Sequence, residues 1–490
     1  MEPRRFLIGN RKMANLNELS LTQALTGLKN REFSSTELTT ACLNRIKKLD
    51  DKIKAFVTIT EELALVSAKK ADDLIQKEGA QIFNQNPLLG IPFALKDNHS
   101  TKGILTTASS KMLDNYFPPF DATVTKKLLE AGAVLLGKTN MDAFAHGSST
   151  ETSDFFPTYN PWDTKKVPGG SSGGSAAAVS TDMCIFAMGS ETAGSVRGPA
   201  AWCGITGLKP SYGRVSRYGV VAMASSTDQP GPLTKNVEDA AYILKIVAGV
   251  DPLDATTSPK EVDDYFEKIG NSSLKGLKVG VPKSYFEIEL EPGVKKATED
   301  AIALLKENGA ELIDVDLLSP KYSIAVYTIL QRSEVSSNLS RLDGIRYGRD
   351  RSNFGFEAKK RIMLGTYTLS EGYYDAYYSK AQKVRTLIVE DFKKAFEKVD
   401  VIVGPSMPCT ALKLGESANS SMFGELMDVL TEPGAIAGLA GLSVPCGFSN
   451  NMPVGFQFMS GMGDELKVLQ AGYNYQRVSN FHTERPKLNE

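Results

Sequence analysis

Pro168-Gly-Gly-Ser171-Ser-Gly-Gly-Ser175-Ala-Ala-Ala-Val179 is a Gly/Ser-rich loop that runs directly into a good helix start. Glycines tolerate unusual backbone angles. A loop of this kind, entering a helix, brings backbone donors and hydroxyls close to a ligand. The same composition also suits a plain surface loop, and its neighbours have to decide. Upstream, Gly90-Ile-Pro-Phe-Ala-Leu-Lys96-Asp97-Asn98 sets a lysine behind five apolar or Pro residues, the pattern of a short buried strand over 91–95. Downstream, Gly189-Ser-Glu-Thr-Ala-Gly-Ser195-Val-Arg197 sets a serine directly after a glycine, between a strand-like run and Pro199. Ala133-Val-Leu-Leu and Ile185-Phe-Ala-Met read as further buried strands, with helical segments at 121–131 and 175–179 between them. This alternation argues for an α/β sheet with chemistry in the loops at its edge.

The flanks extend the pattern. Residues 15–80 read as helices, opened by the capping box Ser34-Ser-Thr-Glu37 and carried by helical apolar spacing over 38–49 and 61–77. Beyond 250, strands at 277–281 and 311–317 bracket an amphipathic helix at 294–308 that Gly309 stops. A long helix at 373–398 leads into a strand at 399–403. A helix at 433–439 then precedes strands at 442–447 and 454–459. No low-complexity linker and no internal repeat divides the chain. The expectation is an α/β fold with a large mixed sheet flanked by helices, one domain over 13–485 with an N-terminal helical layer. Residues 1–12 form an extension of uncertain role.

Composition excludes several classes. Fifty-six Lys and Arg against 57 Asp and Glu leave a net charge of -1, so nothing overall suggests a polyanion binder. The five cysteines, at 42, 184, 203, 409 and 446, form no C-x-x-C pair and read as buried free thiols. The three histidines form no H-E-x-x-H motif, and no metal site is expected. No apolar run approaches the roughly 18–20 residues of a membrane span, and the apolar stretch at Phe6-Leu-Ile-Gly9 is too short for a secretory signal. Cytoplasm or an organellar matrix is the expected location.

Lys96, Ser171 and Ser195 together suggest a serine nucleophile served by a lysine base, since histidine offers few candidates. A lysine closing a buried strand is desolvated, which lowers its pKa from about 10.4 toward neutrality and supplies the neutral amine a base needs. A competing motif is Gly132-Ala-Val-Leu-Leu-Gly137-Lys138-Thr139, which fits the phosphate-loop pattern. Its inner residues read as a strand, however, and a strand cannot wrap a phosphate.

The Gly169–Ser175 run, the 24-residue step from Ser171 to Ser195, and Cys203-Gly-Ile-Thr-Gly-Leu-Lys-Pro-Ser-Tyr-Gly-Arg214 resemble the amidase signature family, in family order. Within it, Arg214-Val-Ser-Arg-Tyr-Gly-Val, Ala224-Ser-Ser-Thr-Asp-Gln-Pro-Gly-Pro and Lys360-Arg361-Ile-Met-Leu-Gly-Thr-Tyr are similar to the glutaminase subunits of tRNA-dependent amidotransferases. The resemblance implies Ser195 as nucleophile, Ser171 as a bridge behind a cis peptide bond, and Lys96 as base. It implies an oxyanion hole from the backbone of Thr192, Ala193 and Gly194. Arg361 would take the α-carboxylate of glutamine and Asp428 its α-amino group. It further implies partner subunits B and C, with ATP and Mg²⁺ used by the partner and no cofactor in this chain. Misacylated Glu-tRNA(Gln), or Asp-tRNA(Asn), would be met mainly through that partner.

The competing readings are a stand-alone hydrolase of another primary amide, the nucleotide binder at Lys138, and an inactive scaffold. Glu191, Ala193 and Val196 depart from the family's usual Gly-Ser-Asp-Thr-Gly-Gly-Ser-Ile-Arg. A positive φ at 193 would cost Ala roughly 1 kcal/mol that Gly avoids. His146 stands where these glutaminase chains more often have Met, and is expected to be a satisfied neighbour of the site.

Overall fold

The computed structural model describes residues 15–488, so the expected 1–12 extension lies outside the described residues. Eleven strands form one sheet: β1 (Phe56–Ile59), β2 (Pro92–Lys96), β3 (Val134–Thr139), β4 (Phe186–Glu191), β5 (Thr206–Lys209), β6 (Gln229–Thr234), β7 (Lys278–Pro282), β8 (Glu311–Val315), β9 (Val401–Pro405), β10 (Ala440–Ser449) and β11 (Met452–Ser460). Their spatial order is β1-β3-β2-β4-β6-β5-β10-β11-β9-β7-β8. The sheet is mixed: β2 runs parallel to β3 and β4, β7 to β8 and β9, and the remaining pairs are antiparallel. Every residue of β2, β3 and β4 is buried, as strands covered on both faces require.

The N-terminal layer is helical over Leu21–Lys29, Ser35–Ile53 and Glu61–Glu78. Its second helix opens on the expected Ser34/Glu37 capping box, and the first on a matching one from Ser20 and Gln23. One correction falls here. Residues 56–59 are not helical but form edge strand β1, paired antiparallel to β3. Phe-Val-Thr-Ile is rich in the aromatic and β-branched types that fit a pleated, half-buried surface.

The expected strands from β2 to β11 that the sequence marked are present, within three residues of their ends, β3 and β4 running three residues further than expected. The 373–398 segment differs in its first part. It begins with a wide π-type turn at Tyr374–Ser379 before the α-helix Lys380–Phe396. Two further helices, Lys321–Leu339 and Phe356–Leu369, pack against each other, and the second carries Arg361. Among the described residues no helix is long and apolar enough to cross a membrane.

Because β2 and β4 are parallel neighbours, their C-terminal ends share one edge of the sheet, where open α/β sheets place their sites. Lys96 ends β2 and Glu191 ends β4, and the 168–175 loop lies beside them, leading into the helix Gly173–Ser180.

Candidate active site

Lys96 is wholly buried, and its Nζ donates to Ser171 Oγ at 2.7 Å, to Ser172 Oγ at 2.9 Å and to the Ser190 carbonyl at 3.0 Å. Burial pulls its pKa from 10.5 down to about 7, against the opposing charges of Asp142, Asp228 and Glu191. The amine is therefore poised between its two protonation states near neutral pH, as a general base should be. Ser172 was not singled out by the sequence. It holds the same amine and also donates to Ser190 O at 3.2 Å, so it fixes the lysine's direction.

Ser171 follows a cis Gly170–Ser171 peptide bond. Gly170 is required for space: a Cβ there would lie 2.1 Å from Asp142 Oδ2 and 2.6 Å from Ser149 N. Asp142 is buried and tied to the next loop, accepting from Thr150 N, Thr152 N and Thr152 Oγ1 at 2.9, 3.2 and 2.9 Å.

Ser195 lies against this loop through the backbone, where Ser172 N donates to Ser195 O at 3.1 Å. Its hydroxyl has no hydrogen-bond partner among the described residues. Lys96 and Ser171 thus touch directly, and Ser195 is placed beside them with a free Oγ. The backbone N–H groups of Thr192, Ala193, Gly194 and Ser195 likewise donate to no described residue, while the next one, Val196 N, is taken by Glu191 Oε2 at 3.1 Å. Four consecutive free donors around a free hydroxyl are the makings of an anion-binding turn.

What shapes this turn is a buried ion pair. Glu191 accepts from Arg197 N at 3.0 Å, Nε at 2.9 Å and Nη2 at 2.5 Å. Arg197 reaches on to Ala193 O, Thr431 O and Gln457 Oε1 at 2.9, 2.9 and 2.8 Å. Glu191 thus closes the turn across five residues, a role for the acid that both this chain and the family pattern carry at this position. Ala193 is not among the residues with left-handed φ, so the feared strain is absent. Thr192 is pinned from its side chain, Oγ1 donating to Asp228 Oδ1 at 2.7 Å. Glu191→Gln is expected to leave the buried Arg197 uncompensated and to destabilise the fold by about 3–5 kcal/mol. Denaturant midpoints check this, and a midpoint equal to wild type would refute it.

Arg361 is buried, its Nε donating to Glu357 Oε1 at 2.7 Å. Asp428 is buried too. Its Oδ2 accepts from Ser148 Oγ at 2.8 Å, and its Oδ1 has no partner. That free oxygen faces the turn: a Cβ on Gly194 would lie 2.3 Å from it. Burial, above all, pushes the Asp428 carboxyl well above the carboxylate range. A cationic partner would restore its charge. The helix Lys321–Leu339 packs against both the helix that carries Arg361 and the turn Asp428–Leu430, so the two residues flank one helix.

Lys138 is no phosphate ligand. Gly132–Thr139 supplies β3 itself, and the fully buried Lys138 donates to His99 O at 2.6 Å and Thr106 Oγ1 at 2.8 Å, with Asp97 at 3.8 Å. His146 corrects an expectation. It is buried, but neither ring nitrogen has a partner, so it is not satisfied. Of the five cysteines, four are buried and Cys409 is partly so, and all are free. No group of three or more His, Cys, Asp or Glu side chains among the described residues is placed to hold a metal ion.

Residues 37–469 match the amidase family model. The chain is 51% identical to the A subunit of glutamyl-tRNA(Gln) amidotransferase from Desulfatibacillum aliphaticivorans, over 96% of this chain and 100% of that one. It is 50% identical to the corresponding A subunit from Carboxydothermus hydrogenoformans, over 96% and 99%. The crystal structure of the glutamyl-tRNA(Gln) amidotransferase A subunit from Thermotoga maritima superposes with a TM-score of 0.81 at 43% identity, covering 95% of this chain and 96% of that one. A buried lysine bonded to a Gly/Ser loop, a free serine in a turn of free amides, and likenesses that run nearly end to end agree: the chain belongs to the amidase family, among its glutamyl-tRNA(Gln) amidotransferase A subunits.

Proposed function

We propose that this chain is the glutaminase of a tRNA-dependent amidotransferase, cleaving glutamine to glutamate and ammonia. Neutral Lys96 accepts the Ser171 proton as Ser171 accepts that of Ser195. Ser195 Oγ then attacks the side-chain amide carbon. The oxyanion settles against the amides of Thr192, Ala193, Gly194 and Ser195, and the relayed proton leaves with ammonia. Water, activated by the same relay, hydrolyses the γ-glutamyl ester and restores Ser195. Arg361 orients the α-carboxylate, and Asp428 Oδ1 receives the α-ammonium. The chain needs no cofactor of its own. Ammonia passes to a B subunit that uses ATP and Mg²⁺ to activate and amidate misacylated tRNA, Glu-tRNA(Gln) or Asp-tRNA(Asn), with a C subunit bracing this chain against that partner. The near-zero net charge agrees with leaving the tRNA to that partner. Cytoplasm or an organellar matrix suits such an assembly.

The observation that carries this reading is the buried, half-paired Asp428 at Gly194, with buried Arg361 against the same neighbouring helix. A hydrolase of apolar amides has no use for a buried carboxyl with one oxygen unpaired, which is costly unless a substrate pairs it. The test is ammonia release by the full chain with its partner subunits, from glutamine and from uncharged amides such as propionamide. Glutamine should be preferred, and Arg361→Gln should raise its KM by roughly 10- to 100-fold, the value of a lost hydrogen bond to a charged group. Equal turnover of propionamide, unaffected by that substitution, would point instead to a stand-alone amidase.

A further inference from the structure

His146 is 1% exposed, yet Nδ1 and Nε2 both lack a partner. Buried polar groups in folded proteins are almost always hydrogen-bonded, so an imidazole with neither nitrogen paired needs an explanation. Its backbone is held for a purpose. The preceding turn takes left-handed φ at Phe144 and Ala145, 54° and 65°, which L side chains adopt at a cost and which cluster at ligand sites. Phe144 N donates to Ala108 O at 2.9 Å and His146 N to Ala143 O at 3.0 Å, which fixes the turn.

The surroundings say where the segment lies. Phe144 packs on Phe354 with ring centroids 5.6 Å apart, and shares one apolar cluster with Ala358 and Ile362 of the helix that carries Arg361. Two residues beyond His146, Ser148 Oγ holds Asp428 Oδ2 at 2.8 Å. The His146 segment therefore connects the residue assigned to the α-carboxylate with the residue assigned to the α-ammonium. We propose that His146 is a second contact for the α-carboxylate of the substrate, one ring N–H donating to it beside Arg361. This rests on the glutaminase reading above. Burial and the Arg361 charge keep the imidazole neutral, well below its usual 6.5. A neutral ring still offers one N–H donor and adds no repulsion toward Arg361.

The test uses the full chain with its partner subunits and two substrates, glutamine and 4-aminobutanamide, which is glutamine without its carboxylate. His146→Met keeps the bulk and removes both nitrogens. It is expected to raise the KM for glutamine about tenfold, with a smaller change in kcat and with the KM for 4-aminobutanamide unmoved. His146→Gln, which restores an N–H donor, should recover most of the loss. His146→Leu, which also lacks both nitrogens, covers the case that the Met variant does not fold. An unchanged glutamine KM in the Met and Leu variants, or an equal rise for both substrates, would overturn the proposal and leave the glutaminase reading intact. Wild type that releases no ammonia from glutamine would overturn the glutaminase reading and this proposal with it.

Discussion

Ser195→Ala is expected to abolish ammonia release from glutamine while ammonium-driven amidation by the assembly continues. The loss should be roughly 10⁴–10⁶-fold in kcat, the scale on which removing a serine nucleophile acts. The structure makes this a clean substitution. Ser195 Oγ has no hydrogen-bond partner among the described residues, so Ala leaves no buried group orphaned, and the Ser172 N to Ser195 O bond is a backbone contact that survives. Stability should stay within about 0.5 kcal/mol of wild type. Retained amidation with added ammonium then shows that the partner chemistry is intact and that only the ammonia supply is gone. Ammonia release equal to wild type would sink the assignment of Ser195.

Ser171→Ala should separate the bridge from the nucleophile. It removes one of three acceptors from Lys96, leaving Ser172 Oγ and Ser190 O, so the amine stays in place. Proton relay without the bridging hydroxyl is expected to cost on the order of 10²–10⁴-fold, the usual worth of positioned acid–base groups. A loss as large as that of Ser195→Ala would mean that Ser171 does more than relay.

Much of this arrangement was legible because it is local. A five-residue apolar run ending in lysine, a glycine-dense loop entering a helix, and a Gly-Ser turn each announce their geometry within ten residues. The elements that escaped are those whose logic is tertiary. Strand β6 reads Gln-Pro-Gly-Pro-Leu-Thr, and two prolines normally confine a strand to an edge. Here Pro230 and Pro232 face Ser190 and Met188 inside the sheet. The helix Lys321–Leu339 buries Ser323, Gln331, Ser333 and Asn338 beside its apolar residues, and Phe356–Leu369 buries only Ala358, Arg361 and Gly365, so both show weak apolar periodicity. Arg361 was reachable only through the family likeness, because nothing near it in sequence says that it is buried. Ser172, Asp228 and Ser148 act through partners 18 to 280 residues away, and the unpaired ring of His146 is a property of packing alone.

Lys96→Met should be inactive, and its comparison with wild type should report the lysine's protonation directly. In wild type the neutral amine is the base, so kcat/KM is expected to fall as pH drops through about 7, approaching tenfold per unit on the acid side. Asp228, which burial pushes up to about 6, holds the Lys96 pKa up while it is charged, so its protonation favours the neutral amine and should make that limb shallower below pH 6. A profile that stays flat down to pH 5.5 would refute the base assignment. Stability gives an independent reading. The folded pKa near 7 lies below the unfolded value of about 10.4, so between these the unfolded chain holds a proton that the folded chain does not. More protons on the unfolded side means that stability rises with pH. The unfolding free energy of wild type relative to Lys96→Met should therefore climb by roughly 1.4 kcal/mol per pH unit from about 7 to about 10, and flatten below 7. Lys138 and Lys209, also lowered by burial, to about 8 and about 7, are present in both proteins and cancel in the difference. A difference independent of pH would mean that Lys96 keeps its proton in the fold, and a protonated lysine cannot begin the relay to Ser195.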